Sequence, residues 1–308
     1  MENHLGEIWS LFHFLMPGFL GSQQRFTELF RKPIEKQGDS ERLSQLRARV
    51  TPFMLRRTKA LVASELPPKV ETVMRVELQG KQADLYETIR LGMEKAVREA
   101  LSVKGLARSQ ITILDALLKL RQVCCSPALV KLDAAQKVKS SAKLEYLMET
   151  LPEMLAEGRR ILLFSQFTSM LTLIEAELAK RKIEWVKLTG QSQKRDALIE
   201  QFTSGKVNLF LISLKAGGVG LNLPQADTVI HYDPWWNPSV EAQATDRAHR
   251  LGQTKPVMVY KLVARGTLEE SIIALQDEKR ALTTAALADG GVTSLAAADL
   301  HALYQRII

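Results

Sequence analysis

Residues 208–232 read NLFLISLKAGGVGLNLPQADTVIHY, and this stretch decides the fold class. Two short apolar, β-rich runs, 208–212 and 228–232, enclose a loop that contains glycines. Similar runs occur elsewhere in the second half of the chain: ILLF at 161–164, WVKL at 185–188 and VMVYKL at 257–262. Helical patterns separate these runs, at 143–156, 167–182, 193–203 and 239–250. Strands that alternate with helices predict a parallel α/β sheet, in which ligands bind at loops beyond the carboxyl ends of the strands.

The first 142 residues follow a different pattern. Apolar residues recur at helical spacing, and prolines punctuate the segments. The predicted helices cover 5–16, 22–32, 40–50, 81–101 and 109–124. Strand-like alternation is nearly confined to 69–78. The fold class we predict is therefore α/β, a parallel sheet with flanking helices that follows a mostly helical region.

Composition narrows the classes of protein to consider. The chain has 308 residues, 46% of them hydrophobic and 25% charged, which is typical of a globular protein and excludes disorder as the main state. No run is long enough for a membrane-spanning helix, and the N-terminus does not resemble a signal peptide. We expect the adjacent Cys124 and Cys125 to be reduced core thiols, because no further ligands stand at metal-site spacing.

The positive charge is unevenly distributed. The net charge is +8, and residues 1–142 carry the whole excess, with 23 Lys and Arg against 15 Asp and Glu. A basic face indicates a polyanionic partner, because contacts with phosphates release counterions. Basic soluble proteins without such a partner are also common, so charge alone does not decide the function.

The glycine loop contains Gly217-Gly-Val-Gly220. Clustered glycines let backbone N–H groups approach an anion. The pattern does not match a phosphate loop, which needs Lys and then Ser or Thr, and it lacks the third glycine of a dinucleotide fingerprint. A tight turn between a strand and a helix explains these residues equally well.

Two arginines share one arc of the helix predicted at 239–250. Gln243, Arg247 and Arg250 project together at 100° per residue. A surface pair with Asp246 is the simplest alternative for Arg250. Arg247 has no acidic residue three or four positions away, so its charge adds to that of Arg250. We favour a function in which these arginines stabilise a transferring phosphoryl group.

Paired tryptophans follow the run at 228–232. Trp235 and Trp236 could anchor the packing of the core, or one of them could insert into a groove or stack on a base. We expect one to pack and the other to contact nucleic acid. Asp277 and Glu278 lie within the helical run 267–288, which favours a solvated helix face over a metal site.

Several blocks resemble the motifs of Swi/Snf-type ATPases in helicase superfamily two. Residues 233–253, DPWWNPSVEAQATDRAHRLGQ, resemble the region of the fifth and sixth motifs. Residues 211–223, LISLKAGGVGLNL, resemble the fifth motif, and residues 161–167, ILLFSQF, resemble the fourth. Further family-like blocks are LRRTK at 55–59, LPPK at 66–69, LRQVCCSP at 120–127 and Thr189-Gly190.

The chain departs from the family pattern at its start. Its first residues, MENHLGEIWSLF, resemble the sequence that follows the family's third motif, and the phosphate loop and the acidic magnesium motif are absent. The resemblance therefore implies the C-terminal half of a DNA translocase. Residues 1–142 would be the basic helical protrusion region, 143–288 the RecA-like C-terminal lobe with a brace helix, and 289–308 a tail. ATP and Mg²⁺ would be held mainly by the N-terminal lobe, and the fragment alone would be inactive.

The resemblance also implies roles for individual residues. The catalytic residues would be the arginine fingers and a glutamine that helps to place them: Arg250, Arg247 and Gln243. The nucleotide-binding residues would be Gly218, Gly220 and Asn222. The DNA-binding residues would be Gln166, Ser213, Lys215 and Trp236. No metal ligand is expected.

The implied partners are double-stranded DNA and the N-terminal lobe of the same protein, with no membrane; a protein partner is left open. The expected location is the cytoplasm of a bacterial-type cell or the nucleus. One alternative is an RNA helicase of the same superfamily, whose sixth motif typically ends in Gly-Arg where this chain has His249-Arg-Leu-Gly-Gln253. Another is a non-enzymatic DNA-binding module that uses the lobe as a scaffold.

Overall fold

The computed structural model describes residues 5–54, 66–217 and 220–287. Within these residues no helix is both long and apolar enough to cross a membrane. The chain forms two compact units: the first contains residues 5–54 and the end of the last helix from Ala281, and the second contains the described residues from Leu66 to Arg280. The tail predicted at 289–308 and the glycine at 218 lie outside the described residues.

The first unit is helical. Its helices are α1 (Gly6–Leu15), α2 (Gln23–Phe26), α3 (Lys32–Gln37) and α4 (Ser40–Val50), with a π-helical turn at Thr27–Arg31 and a 3-10 turn at Thr51–Phe53. The Asp39 carboxylate caps α4 by accepting the Arg42 N–H at 2.9 Å. One apolar cluster, which includes Ile8, Phe26 and Leu46, holds these helices together. The helices predicted at 5–16 and 40–50 are confirmed.

Six strands form one sheet in the second unit. They are β1 (Lys69–Glu77), β2 (Ile161–Ser165), β3 (Val186–Leu188), β4 (Leu209–Ser213), β5 (Thr228–His231) and β6 (Val257–Arg265). Their order is β1-β6-β5-β2-β4-β3, and every pairing is parallel. The parallel α/β fold class is therefore confirmed.

Strand β1 confirms the strand-like alternation at 69–78, within the region that we expected to be mostly helical. It pairs with β6 along its whole length, from Lys69 opposite Val257 to Glu77 opposite Arg265. The sheet thus takes one edge strand from residues that precede position 142. The domain boundaries at 142 and 288 stay predictions.

Eight helices are described in this part of the chain. They are α5 (Gly80–Cys125), α6 (Asp133–Gln136), α7 (Ala142–Ala156), α8 (Thr168–Lys180), α9 (Arg195–Thr203), α10 (Leu214–Gly217), α11 (Pro238–Thr245) and α12 (Leu268–Leu287). The two helices predicted at 81–101 and 109–124 are one helix. The intervening residues contain a single glycine and no proline, and one glycine costs a helix only about 1 kcal/mol.

The central strands are buried on both faces, which explains their continuous apolar runs. On one face, Leu162 and Phe210 belong to one apolar cluster. On the other face, Leu163 and Leu211 belong to a second cluster. Because all strands run in the same direction, their carboxyl ends present the candidate loops at one edge of the sheet.

Candidate functional site

The two arginines meet on the loop that follows β4, although the helix that we predicted to carry them is shorter than expected. Helix α11 ends at Thr245, not at residue 250, so the prediction that Gln243, Arg247 and Arg250 share one helical face is wrong. Arg247 and Arg250 lie on successive turns after the helix. Their Nη1 atoms nevertheless both donate to the Leu221 carbonyl oxygen, at 3.4 and 3.3 Å.

Hydrogen bonds to the loop after β4 and to its continuation hold the turns that follow the helix. The Arg247 carbonyl accepts the Leu223 backbone N–H at 3.0 Å. The buried Gln253 side chain donates to the carbonyls of Ala226 and Ala248, at 2.7 and 3.1 Å, and its Oε1 accepts two backbone N–H groups. Gln253 thus fixes the backbone just after the turns that carry Arg247 and Arg250. Our sequence analysis did not identify this role of Gln253. The signal in the sequence was the position of this glutamine as the last residue of the family-like block 233–253.

Two of the three predicted nucleotide-binding residues, Gly220 and Asn222, flank the carbonyl on which the arginines converge. Gly220 precedes Leu221 and has φ +58, a left-handed conformation that favours glycine. Asn222 follows Leu221 and is exposed. Gln243 is half-buried on α11. One short loop therefore brings Gly220 and Asn222 next to both guanidinium groups.

This arrangement places two positive charges on one neutral acceptor. A guanidinium group carries five N–H donors in a planar fork, which matches carboxylate and phosphate oxygens. An anion with several oxygens would offset the repulsion between Arg247 and Arg250. The donors therefore suit the phosphate chain of a nucleotide. They do not suit Mg²⁺, which takes oxygen ligands, and no group of three or more His, Cys, Asp or Glu in the described residues could hold a metal ion.

A cleft of about 490 Å³ lies at the carboxyl edge of β2, β3 and β4. It brings together three of the four predicted DNA-binding residues, Gln166, Ser213 and Lys215. The remaining lining residues are Thr168, Ser169, Thr172, Lys187, Thr189, Gly190 and Gln191. The fourth predicted residue, Trp236, is not part of this lining.

A buried carboxylate orients the residues at the end of β2. Asp233 accepts the Ser165 hydroxyl, the Gln166 backbone N–H at 3.2 Å and the Gln166 side-chain amide at 2.7 Å. The Gln166 side chain is thereby held at the wall of the cleft. Ser213 is buried, and its hydroxyl accepts the Ala216 N–H at 3.3 Å, whereas Lys215 is exposed. Sequence analysis did not identify Asp233 as a positioning residue.

The paired tryptophans form a stack with a buried arginine. The rings of Trp235 and Trp236 are 3.9 Å apart, and Arg121 Cζ lies 4.9 and 4.6 Å from their centroids. Arg121 also donates to the Pro234 carbonyl at 3.4 Å. Burial lowers the pKa of Arg121, and the Asp233 carboxylate opposes this effect. Both tryptophans are half-buried, and each packs against an apolar cluster.

A second buried network joins the tryptophan loop to α12. Glu241 Oε1 accepts the Trp235 N–H at 2.7 Å and the Gln276 amide at 2.8 Å, and Gln276 also donates to the Trp235 carbonyl. Glu241 Oε2 pairs with Lys261 Nζ at 2.9 Å. The backbone of this loop is thus fixed from α11, β6 and α12.

Comparisons with known proteins identify the family to which the chain is similar. The helicase conserved C-terminal domain matches residues 142–252, and the SNF2-related domain matches residues 1–129. An uncharacterized ATP-dependent helicase of Mycoplasma genitalium, MG018, is 37% identical over 292 residues, which cover 94% of this chain and 27% of that protein. The chain spans a third or less of the length of the curated relatives that it matches.

Two solved structures are also similar. The Sulfolobus solfataricus SWI2/SNF2 ATPase core in complex with double-stranded DNA has a TM-score of 0.62 and 36% identity, and the match covers 98% of this chain and 63% of that one. The C-terminal domain of the Sulfolobus solfataricus SWI2/SNF2 ATPase has a TM-score of 0.57 and 34% identity, and the match covers 73% of this chain and 90% of that one. The motifs, the parallel sheet and these matches agree: the chain belongs to the SWI2/SNF2 family of ATPases.

Proposed function

We propose that this chain is the C-terminal half of an ATP-dependent DNA translocase, to which it supplies the arginine fingers and part of the grip on the DNA backbone. The observation that carries the proposal is the convergence of Arg247 and Arg250 on the Leu221 carbonyl. Two half-buried guanidinium groups that converge on one carbonyl are arranged to receive an anion. The family of the chain makes the triphosphate of ATP the anion of choice.

The arginines would act on a nucleotide held by the N-terminal lobe of the same protein. Charge builds on the phosphoryl oxygens during transfer, and a positioned guanidinium stabilises it through charge-assisted hydrogen bonds. Gly218, Gly220 and Asn222 would lie beside the ribose. The N-terminal lobe would hold Mg²⁺, which neutralises phosphate charge when bound.

The cleft at β2, β3 and β4 would bind the phosphate backbone of duplex DNA. Its lining offers hydroxyl, amide and ammonium donors, and Thr168 and Ser169 stand at the N-terminal end of α8, where backbone N–H groups favour anions. Contacts of this kind position the protein without reading the sequence. Trp236 would contact the minor groove from the neighbouring loop.

One loop serves both sites, which supports their coupling. Ser213 and Lys215 line the cleft, and Leu221, a few residues later, accepts both arginines. A change of partner at the arginines would therefore act on the segment that holds DNA. Opening and closing of two lobes around ATP would then advance the grip on the backbone.

The test is ATP hydrolysis by the longer protein that contains both lobes, with and without duplex DNA. Arg250→Ala should lower DNA-stimulated hydrolysis by about 10³ or more and leave ATP affinity nearly unchanged, because most ground-state contacts lie in the other lobe. Arg250→Lys should not restore the rate, because an ammonium group cannot replace the planar fork.

The matched control is Arg159→Ala, which removes an arginine paired with Glu157 at 2.9 Å before the amino end of β2. This variant should hydrolyse ATP at the normal rate. Normal hydrolysis by Arg250→Ala would show that Arg250 does not act as an arginine finger. The 308-residue chain alone should not turn over ATP, and measurable turnover would contradict the half-site proposal. The cellular location follows the DNA: the cytoplasm of a bacterial-type cell or the nucleus.

A further inference from the structure

The cleft contains a second lysine that the motifs did not identify. Lys187 lies on β3, the edge strand, and its side chain is part of the lining together with Lys215. Its Nζ atom forms an ion pair with Glu175 Oε2, and the two side chains are 31% and 20% exposed. The lysine is thus within reach of both the cleft and a carboxylate.

Glu175 is held in place independently of the lysine. Its Oε1 accepts the Trp185 indole N–H at 2.9 Å, which leaves Oε2 for Lys187. On α8, Thr168, Thr172 and Glu175 follow helical spacing, so they lie along one face of the helix. Two of them, Thr168 and Thr172, line the cleft, and Glu175 lies about one turn further from the N-terminal end of the helix.

The lining itself is suited to an anion. It contains two lysines, together with hydroxyl and amide side chains, and no acidic residue among the described lining positions. Glu175 is therefore a carboxylate placed next to the cleft but outside its lining. A lysine ammonium group on a flexible stem can exchange one oxyanion partner for another without a backbone movement.

We infer that Lys187 is a second phosphate-binding residue of the cleft and that Glu175 competes with DNA for it. The inference rests on the proposed binding of DNA in this cleft. In the absence of DNA, Glu175 holds the ammonium group of Lys187. A backbone phosphate in the cleft takes over the ammonium group, and part of the binding free energy is spent on separating the ion pair.

The test is binding of a fluorescein-labelled duplex of mixed sequence to the 308-residue chain, measured by anisotropy over a series of KCl concentrations. Lys187→Gln should weaken binding and reduce the slope of log affinity against log salt by about 0.9, the value of one phosphate contact. Glu175→Gln should tighten binding several-fold, because the amide keeps the acceptor for Trp185 but no longer holds the ammonium group.

The double variant Glu175→Gln/Lys187→Gln distinguishes competition of Glu175 for Lys187 from a general effect of removing one negative charge. The gain from Glu175→Gln should disappear when Lys187 is absent, whereas a long-range charge effect would give the same gain in both backgrounds. Glu177→Gln and Lys180→Gln are the matched controls, because these residues pair with each other on the same helix outside the cleft lining. Glu177→Gln should change the affinity for DNA less than Glu175→Gln does. Lys180→Gln should likewise change it less than Lys187→Gln does.

The outcomes distinguish the inference from the proposed function. An equal gain in both backgrounds, or unchanged binding by Lys187→Gln while Lys215→Ala weakens binding, would overturn the inference and leave the DNA cleft standing. Duplex binding by none of the proteins, or binding insensitive to salt, would overturn both. Loss of the Glu175→Gln gain in the absence of Lys187 would support the competition.

Discussion

Replacement of Lys143 by Met should destabilise the second unit strongly and in a pH-dependent manner. Lys143 Nζ lies 2.8 and 2.9 Å from the two carboxylate oxygens of Glu269, and the side chains are 0% and 1% exposed. Glu269 also accepts the Ala264 N–H at 2.7 Å. Met fills a similar volume, so the main effect of the substitution is a buried carboxylate without its cation.

Protonation of Glu269 limits the loss of stability in Lys143→Met. Removal of one partner of a buried pair typically costs about 3–5 kcal/mol. Glu269 can avoid part of the cost by taking up a proton, and from its ordinary pKa of about 4.3 this costs about 1.4 kcal/mol per pH unit, or about 3.7 kcal/mol at pH 7. The expected loss at pH 7 is therefore about 3–4 kcal/mol, and at pH 5 the same limit is about 1 kcal/mol.

The sign of the pH dependence follows from the pKa of Glu269. Burial raises this pKa, and Lys143 opposes the effect, so removal of the lysine should raise it further. A folded-state pKa above the unfolded one favours the folded state below the ordinary pKa, and this contribution is lost as the pH rises toward the folded-state value. The deficit of Lys143→Met relative to the unsubstituted chain should therefore grow between pH 5 and pH 7.

Urea unfolding followed by circular dichroism at pH 5, 6, 7 and 8 measures the deficit. Lys119→Met is the matched control, because Lys119 pairs with Asp115 on an exposed helix surface and its loss should cost less than about 1 kcal/mol. Lys143→Met/Glu269→Gln should regain stability, because neither of these two buried positions then carries a charge. A loss below about 1 kcal/mol at pH 7, or an equal loss at pH 5 and pH 8, would refute the reasoning.

Three further predictions concern the candidate site. Gln253→Ala should lower DNA-stimulated ATP hydrolysis by the longer protein much as loss of a proposed arginine finger would, because the turn that carries Arg247 and Arg250 loses a buried hydrogen-bond partner. Normal hydrolysis would show that the turn keeps its conformation without Gln253. Arg121→Leu should alter tryptophan fluorescence and lower the unfolding midpoint, since it removes the cation that packs against both stacked rings. An unchanged spectrum would contradict this role. Lys215→Ala and Trp236→Ala should each weaken binding of duplex DNA, with anisotropy as the measurement, and unaltered binding by both would remove them from the DNA contacts.

The strands were predictable because each is decided locally. The runs at 161–164 and 208–212 are apolar at every central position, and only a strand buried on both faces requires that pattern over so few residues. The structure places these strands at 161–165 and 209–213, within one residue of the prediction. The fold class followed from their alternation with helices.

The end of α11 was not predictable from local pattern. Residues 246–250 continue the helical periodicity, and no glycine or proline interrupts them before Gly252. Beyond the end of the helix, the Arg247 carbonyl accepts the Leu223 N–H, 24 positions earlier in the chain. Periodicity predicts which side chains share a helix face, but it does not predict which backbone groups form hydrogen bonds with a distant loop.

The positioning residues were hidden for the same reason. Asp233, Glu241 and Gln276 look like ordinary polar residues in the sequence, and their function depends on partners that folding brings to them. Gln276 is fully buried and meets Glu241 across 35 positions of the chain. Motif resemblance could identify the residues that face a ligand, but only the structure shows the buried polar groups that orient them.

The connection from β4 to β5 is where nucleotide and DNA would exert their influence on each other. Near its start Lys215 lines the cleft, and six residues later Leu221 accepts two arginine hydrogen bonds. When the guanidinium groups turn to phosphate, this carbonyl would lose both donors, while the Leu223 N–H still anchors the loop to the Arg247 carbonyl. The loop would thus lose its hydrogen bonds at Leu221 and keep its hydrogen bond at Leu223. Under the proposed function, a local change of partners, without repacking of the sheet, would suffice to alter the binding of DNA in the cleft.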